Sequence, residues 1–189
     1  MNTPKKIRPQ FSLYHPNGKG TGAAVELELH PAHDRTDGSI MMKIANQMTI
    51  GDRRGPNPTY PHFDWKSAAV VKLDFNDLSK MLQVFRGECE SIDDGHGLYH
   101  SSARATTRIM LRHLLEPVVG YSLEVYRTVR NGNEESRMHI ILNPTEALGL
   151  CEAISGSLSL VCFGIPMVIP HDGAAVETEE PEKSDVAAA

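Results

Sequence analysis

The chain is short of cysteine, tryptophan and long apolar runs. Its three cysteines, Cys89, Cys151 and Cys162, are odd in number and far apart. That argues against a disulfide framework and against the paired spacings of a zinc site, and it fits a reducing compartment such as the cytoplasm. No run among the 189 residues reads as long enough to cross a bilayer, and no apolar stretch follows the basic start MNTPKKIRP. The expectation is therefore neither a secretory leader nor a membrane partner. Catalytic signatures are missing as well. There is no Ser–His–Asp order with a supporting elbow, and no carboxylate pair in a pocket-like context; Asp93 and Asp94 read as a polar connector. The nine histidines include His30 and His33, three apart, and His96 and His100, four apart. No common helix face presents either pair, and no nearby cysteine or carboxylate set completes a site. The chain is expected to carry no metal, no cofactor and no enzymatic activity.

Charge is unevenly placed. The net charge of -5 is carried by the C-terminal stretch HDGAAVETEEPEKSDVAAA, where Asp172, Glu177, Glu179, Glu180, Glu182 and Asp185 face only Lys183. The rest of the chain is balanced. The tail, residues 171–189, lacks hydrophobic periodicity and is predicted to be disordered. It serves solubility, competes with a polyanion, or docks a protein partner of basic charge. Residues 1–9 read as a flexible lead, and residues 10–170 as one domain of ordinary size.

The segment LYHPNGKGTGAAVELELH alternates glycines around Lys19. A phosphate-cradling glycine loop needs a helix directly behind it. Here the following residues 23–30 alternate apolar and polar at period two, the pattern of a half-buried strand. The loop is a hairpin tip, and Lys19 is either a solvated loop lysine or a cation offered to a partner.

Repetition organises the remainder. Leu13-Tyr14-His15 recurs as Leu98-Tyr99-His100, and a polar turn and long alternating strands follow each copy. Strands are predicted at 11–15, 23–30, 39–45 and 69–75, and again at 98–100, 105–115, 121–129 and 137–142. Each fourth strand runs into an amphipathic helix with an asparagine cap, Asn76 in the first copy and Asn143-Pro144-Thr145-Glu146 in the second. The unit is β-β-β-β-α, used at about 10–87 and about 97–156. It predicts an α+β fold of two antiparallel four-stranded sheets with the helices packed on one side. The apolar segment 157–170 is expected to pack against the helices or a neighbouring subunit. The stretch 48–61 is too long for a turn alone.

On these residues the chain resembles the Whirly family of single-stranded DNA-binding proteins and, more distantly, the PC4-type coactivators. Lys19-Gly20-Thr21-Gly22-Ala23-Ala24-Val25 is similar to the family's Lys-Gly-Lys-Ala-Ala-Leu motif, and Phe63-Asp64-Trp65 to its Tyr-Asp-Trp. The motif's second lysine has no counterpart; Thr21 and Gly22 stand there. The resemblance spans about 11–166. It implies binding of single-stranded DNA along sheet edges without strong sequence preference, in a homotetramer of four-fold form.

Single-strand binding asks for cations to meet phosphates and aromatic faces to stack bases. Alternation places Arg104, Arg108 and Arg112 on one face of one strand, with Ile109 and Leu111 on the other. Tyr126 and Arg130 lie opposite Leu123 and Val125, and Lys43 and Lys72 occupy the polar face of the first copy. The candidate contacts are Tyr14, Lys19, Lys43, Phe63, Trp65, Lys66, Tyr99, Arg104, Arg108, Arg112, Tyr126 and Arg130. Trp65, the lone tryptophan, is expected in the core, shaping the site from beneath. Glu26 and Glu28 stand at the first copy's equivalents of the arginine positions, so charge pairing across a protomer interface is a second use for these faces. Single-stranded or guide-type RNA is the alternative ligand, and a structural or protein-interaction oligomer the alternative role.

Overall fold

The computed structural model describes residues 9–33, 36–52, 54, 56–130 and 135–164. The flexible lead and the acidic tail expected from the sequence therefore lie almost wholly outside the described residues, as does segment 165–170.

The duplicated unit is present. β1 (Gln10–His15), β2 (Ala23–His30), β3 (Ser39–Thr49) and β5 (Ala69–Leu73) form one antiparallel sheet in the order β1-β2-β3-β5. A two-residue strand, β4 (His62–Phe63), pairs with the far end of β3. The second sheet runs β6 (Leu98–Ser101), β7 (Ala105–Leu114), β8 (Gly120–Val129) and β9 (Glu135–Leu142), again antiparallel throughout. Each sheet is followed by its helix, α1 (Phe75–Phe85) or α2 (Pro144–Phe163). Both sheets and both helices share one core, with Met42, Ile44, Leu73, Leu78, Ile109, Leu111, Ile140 and Ile154 nearly or fully excluded from water. Neither copy could bury its helix stripe alone.

Several expectations need correction. The cap of α1 is Asp74, not Asn76: Asp74 accepts from the Asp77 backbone, and the Asp77 side chain accepts from the Asp74 backbone, a reciprocal capping box. Asn143 and Glu146 form the same box on α2, as their spacing predicted. The apolar stretch after residue 156 is not a separate segment through residue 163, because α2 runs on to Phe163. With 20 residues and mean hydropathy of 1.4, α2 is long and apolar enough to cross a membrane by length and composition, which the sequence reading denied. Its Ala147, Leu150, Cys151, Ile154 and Val161 are buried against α1 and the sheets, while Leu148 and Phe163 stand exposed. β3 reaches Thr49, so the long connection begins at residue 50. Arg104 precedes β7 rather than lying in it.

The copies are cross-linked through the ends of their helices. His15, at the end of β1, places Nε2 2.8 Å from Oε1 of Glu146, the capping-box residue of α2. His100, in β6, places Nε2 3.3 Å from Oδ2 of Asp77, the capping-box residue of α1. Each copy's Leu-Tyr-His thus touches the other copy's helix cap. Burial raises the Asp77 carboxyl above its ordinary range, and hydrogen bonding from the Asp74 backbone and the His100 charge oppose that shift.

Candidate nucleic-acid interface

Pairing across the second sheet sets four side chains in one row on its outer face. Tyr99 lies opposite Arg108, Arg108 opposite Tyr126, and Tyr126 opposite Arg137. Period-two alternation sends all four to the same side, away from Ile109, Leu123 and Val125. The Arg108 guanidinium carbon sits 5.0 Å above the Tyr126 ring centroid, and that of Arg137 sits 5.7 Å from it. Arg108 also donates to the Tyr99 hydroxyl at 3.4 Å, which raises its already high pKa. Tyr99 is 63% exposed. The result is a platform of alternating rings and guanidinium planes, both suited to stacking on a base.

Beneath the platform lies Glu124, with a side chain 4% exposed. It accepts from Arg112 at 2.9 Å, from the Tyr126 hydroxyl at 2.6 Å, and from Arg137 at 2.7 and 3.0 Å. Burial pushes the Glu124 carboxyl up, but hydrogen bonds from Tyr126, Arg137 and Arg112 outweigh it and bring the pKa down to about 2. The same carboxylate raises the Tyr126 phenol and the Arg137 guanidinium. Burial lowers the neighbouring His139. Glu124 therefore fixes two arginines and a tyrosine in place, like the inner support of a preorganised site.

The first sheet carries the inverse charge at equivalent positions. Tyr14 pairs with Ala24 and Ala24 with Ala45, the row matching Tyr99–Arg108–Tyr126. Two residues back along β3 stands Lys43 where β8 has Glu124. Lys43 donates to Glu26 at 2.6 Å and lies 3.9 Å from Glu28. A central cation is held by acids in one sheet, and a central acid by cations in the other. These charges find partners within their own chain, and Lys43 is already engaged there.

Ala24 and Ala45 are fully buried on the outer face. With so little side chain, they leave room for a ring cluster above: Tyr14 lies 5.5 Å from Phe63 and meets Trp65 edge-on at 6.4 Å. Trp65 is 36% exposed, so the expectation of a core tryptophan is overturned. It follows the two-residue β4, which pairs with the end of β3, and its ring meets Tyr14 instead of the core.

Lys19 is exposed at the β1–β2 tip, on a loop held at several points. The Gln47 side chain accepts from Asn17 N at 2.9 Å and Gly22 N at 3.2 Å, and donates to the Asn17 and Thr49 carbonyls. Asn17 Oδ1 accepts from the backbones of Lys19 and Thr21. A Cβ at Gly22 would fall on the His15 carbonyl oxygen, so a larger residue is excluded there. The motif's second lysine is thus replaced by a close backbone approach. Gln47→Ala removes four hydrogen bonds and is expected to cost about 1–3 kcal/mol. The measurement is a urea melt together with amide exchange at Lys19 and Thr21; unchanged exchange at both would rule out the pinning role.

Of the other predicted residues, Arg130 follows β8. It donates its backbone N–H to the Arg104 carbonyl at 3.0 Å and its guanidinium to Ser101 at 2.6 Å. Both lie at the same end of the second sheet as the Tyr99 row. Arg112 sits deeper along β7, tied to Glu124. Lys66 is exposed beside Trp65. Glu124, Arg137 and Gln47 were not singled out from the sequence.

A duplicated β-β-β-β-α unit, with two sheets folded over one core and one helix each, is the Whirly fold. WHY1 from Arabidopsis thaliana superposes with a TM-score of 0.65 at 15% identity, over 85% of this chain and 89% of that one. The plant transcriptional regulator PBF-2 gives 0.61 at 16% identity, over 83% and 84%. A guide-RNA-binding protein complex bound to its RNA gives 0.52 at 15% identity, over 81% and 91%. No family model matches the sequence, and no curated protein matches it in sequence.

Proposed function

We propose that this chain is a non-enzymatic protein that binds single-stranded nucleic acid, DNA first, as part of a homo-oligomer of the tetrameric kind its resemblance implies. The observation that carries the reading is the Tyr99–Arg108–Tyr126–Arg137 row, which offers stacking surfaces and cations at strand spacing on an open sheet face. The Tyr14–Phe63–Trp65 cluster, with Lys66 beside it, adds a second stacking surface, and Lys19 projects a cation from a fixed loop. None of these contacts depends on base identity, so the sheet face itself takes any sequence. RNA is the second reading, favoured by the likeness to the guide-RNA-binding complex.

The test is fluorescence anisotropy of the full chain with labelled single-stranded DNA, matching RNA and duplex DNA across a salt series. Tight single-strand binding is expected, with duplex much weaker. The logarithmic salt slope should be about -2 to -3, the value for roughly three or four neutralised phosphates. Equal or better RNA affinity would move the ligand to RNA. An absence of binding at low salt would assign the charged faces to assembly.

A further inference from the structure

Where β3 and β9 diverge, an open groove of about 390 Å³ separates the sheets, lined by Asn46, Asp64, Lys66, Arg127, Val129 and Met138 among others. It adjoins the ring cluster, because Asp64 and Lys66 flank Trp65, and it lies on the face of the second sheet opposite the Tyr–Arg row. Trp65 stands in sequence between Asp64 and Lys66, and the Arg137 carbonyl accepts from Asn46 Nδ2 at 3.1 Å across the gap between sheets. A strand leaving the ring cluster past Lys66 would meet this groove.

Asp64 is the feature that phosphate binding does not explain. A carboxylate beside Lys66 on a surface that gathers phosphates repels the backbone it would meet. Its turn duty does not require a charge either. Asp64 Oδ1 accepts from the Ser67 backbone at 3.2 Å, a contact an asparagine makes equally well. Hydrogen bonds from Ser67 hold its carboxyl below the usual range, so it is ionised at neutral pH. The groove therefore presents a fixed acceptor in company with two cations, Lys66 and Arg127, with the half-buried Val129 supplying apolar surface for a flat ring.

We propose that this groove receives one guanine of the bound strand, with Asp64 accepting from its N1–H and N2 amino group and Lys66 or Arg127 donating to O6 and N7. Guanine carries two adjacent acceptors on one edge and adjacent donors on another, and no other base matches this set of partners. The inference rests on the single-strand reading above and adds a base preference at one position.

The experiment uses the full chain and a twelve-nucleotide thymine oligomer, as DNA and as the matching RNA, with its central base replaced by guanine, hypoxanthine, 7-deazaguanine or adenine. Guanine should bind about tenfold tighter than the thymine parent, in line with one good bidentate contact. Hypoxanthine, lacking the N2 amino group, should lose most of that gain, and 7-deazaguanine part of it. Asp64→Asn should bring the guanine-to-thymine ratio to near one with an unchanged thermal melt, because asparagine preserves the turn. Equal binding of guanine and hypoxanthine by the wild type, or an intact preference in Asp64→Asn, would overturn the guanine site and leave single-strand binding standing. Failure to bind any oligomer would overturn both.

Discussion

Glu124→Ala is expected to lower stability by about 2–3 kcal/mol at neutral pH while tightening binding to single-stranded DNA. The two effects have one origin. The carboxylate is nearly inaccessible and accepts from Arg112, Tyr126 and Arg137, so its removal strands their donors. Removing one partner of a buried pair costs about 3–5 kcal/mol, but Arg112 and Arg137 are 49% and 55% exposed and recover part of that from water. The freed guanidiniums and the lost negative charge then favour a polyanion by more than the lost positioning of Arg137 and Tyr126 costs, and a weaker affinity in Glu124→Ala would show the reverse. The wild type should show the matching pH dependence. The folded pKa of about 2 lies below the ordinary 4.5, so the stabilisation is complete above about 4.5 and is lost as pH falls towards 2. Urea melts of both proteins between pH 7 and pH 2 measure it. Parallel stability curves for the two would show that Glu124 is not the source.

Tyr99→Ala combined with Tyr126→Ala is expected to weaken single-strand binding by at least roughly 30-fold, because each of two bases stacked on an aromatic ring contributes about 1–3 kcal/mol. Tyr99 through its hydroxyl and Tyr126 through its ring both hold Arg108, so the pair should lose more than the sum of the single variants. Lys43→Ala is the comparison, because Lys43 is already paired with Glu26 on the other sheet and should change affinity by less than threefold. Anisotropy titrations at one salt concentration decide between them. A larger loss for Lys43→Ala than for the tyrosine pair would move the strand to the first sheet.

The fold was legible because period-two alternation and the repeated Leu-Tyr-His both survive in a single sequence. The Asn143-Pro144-Thr145-Glu146 start was readable for the same reason: a cap is local, and its partners lie within one turn. Asp74 escaped because Asp74, Asn76 and Asp77 are all plausible caps, and only backbone direction selects among them. The platform was half readable. Alternation put Arg108 and Tyr126 on outer faces, but their adjacency depends on strand register, which spacing along one chain does not fix. Glu124 shares the Tyr126 face by the same alternation. Its role emerges only once Arg112 and Arg137 arrive from neighbouring strands. Trp65 was misplaced because average burial says nothing about a residue just beyond a two-residue edge strand.

The exchange between His15 and Glu146 and between His100 and Asp77 has the form of an isologous contact, in which one surface meets its own copy and each residue is used twice. That is the grammar of a homodimer, written here within a single polypeptide. A homodimer cannot alter one subunit's face without altering the other's. A fused pair is released from that constraint while the joint between its halves stays symmetric. The opposite signs of Lys43 and Glu124, at matching places in two sheets of the same shape, are a divergence that two identical subunits could not carry.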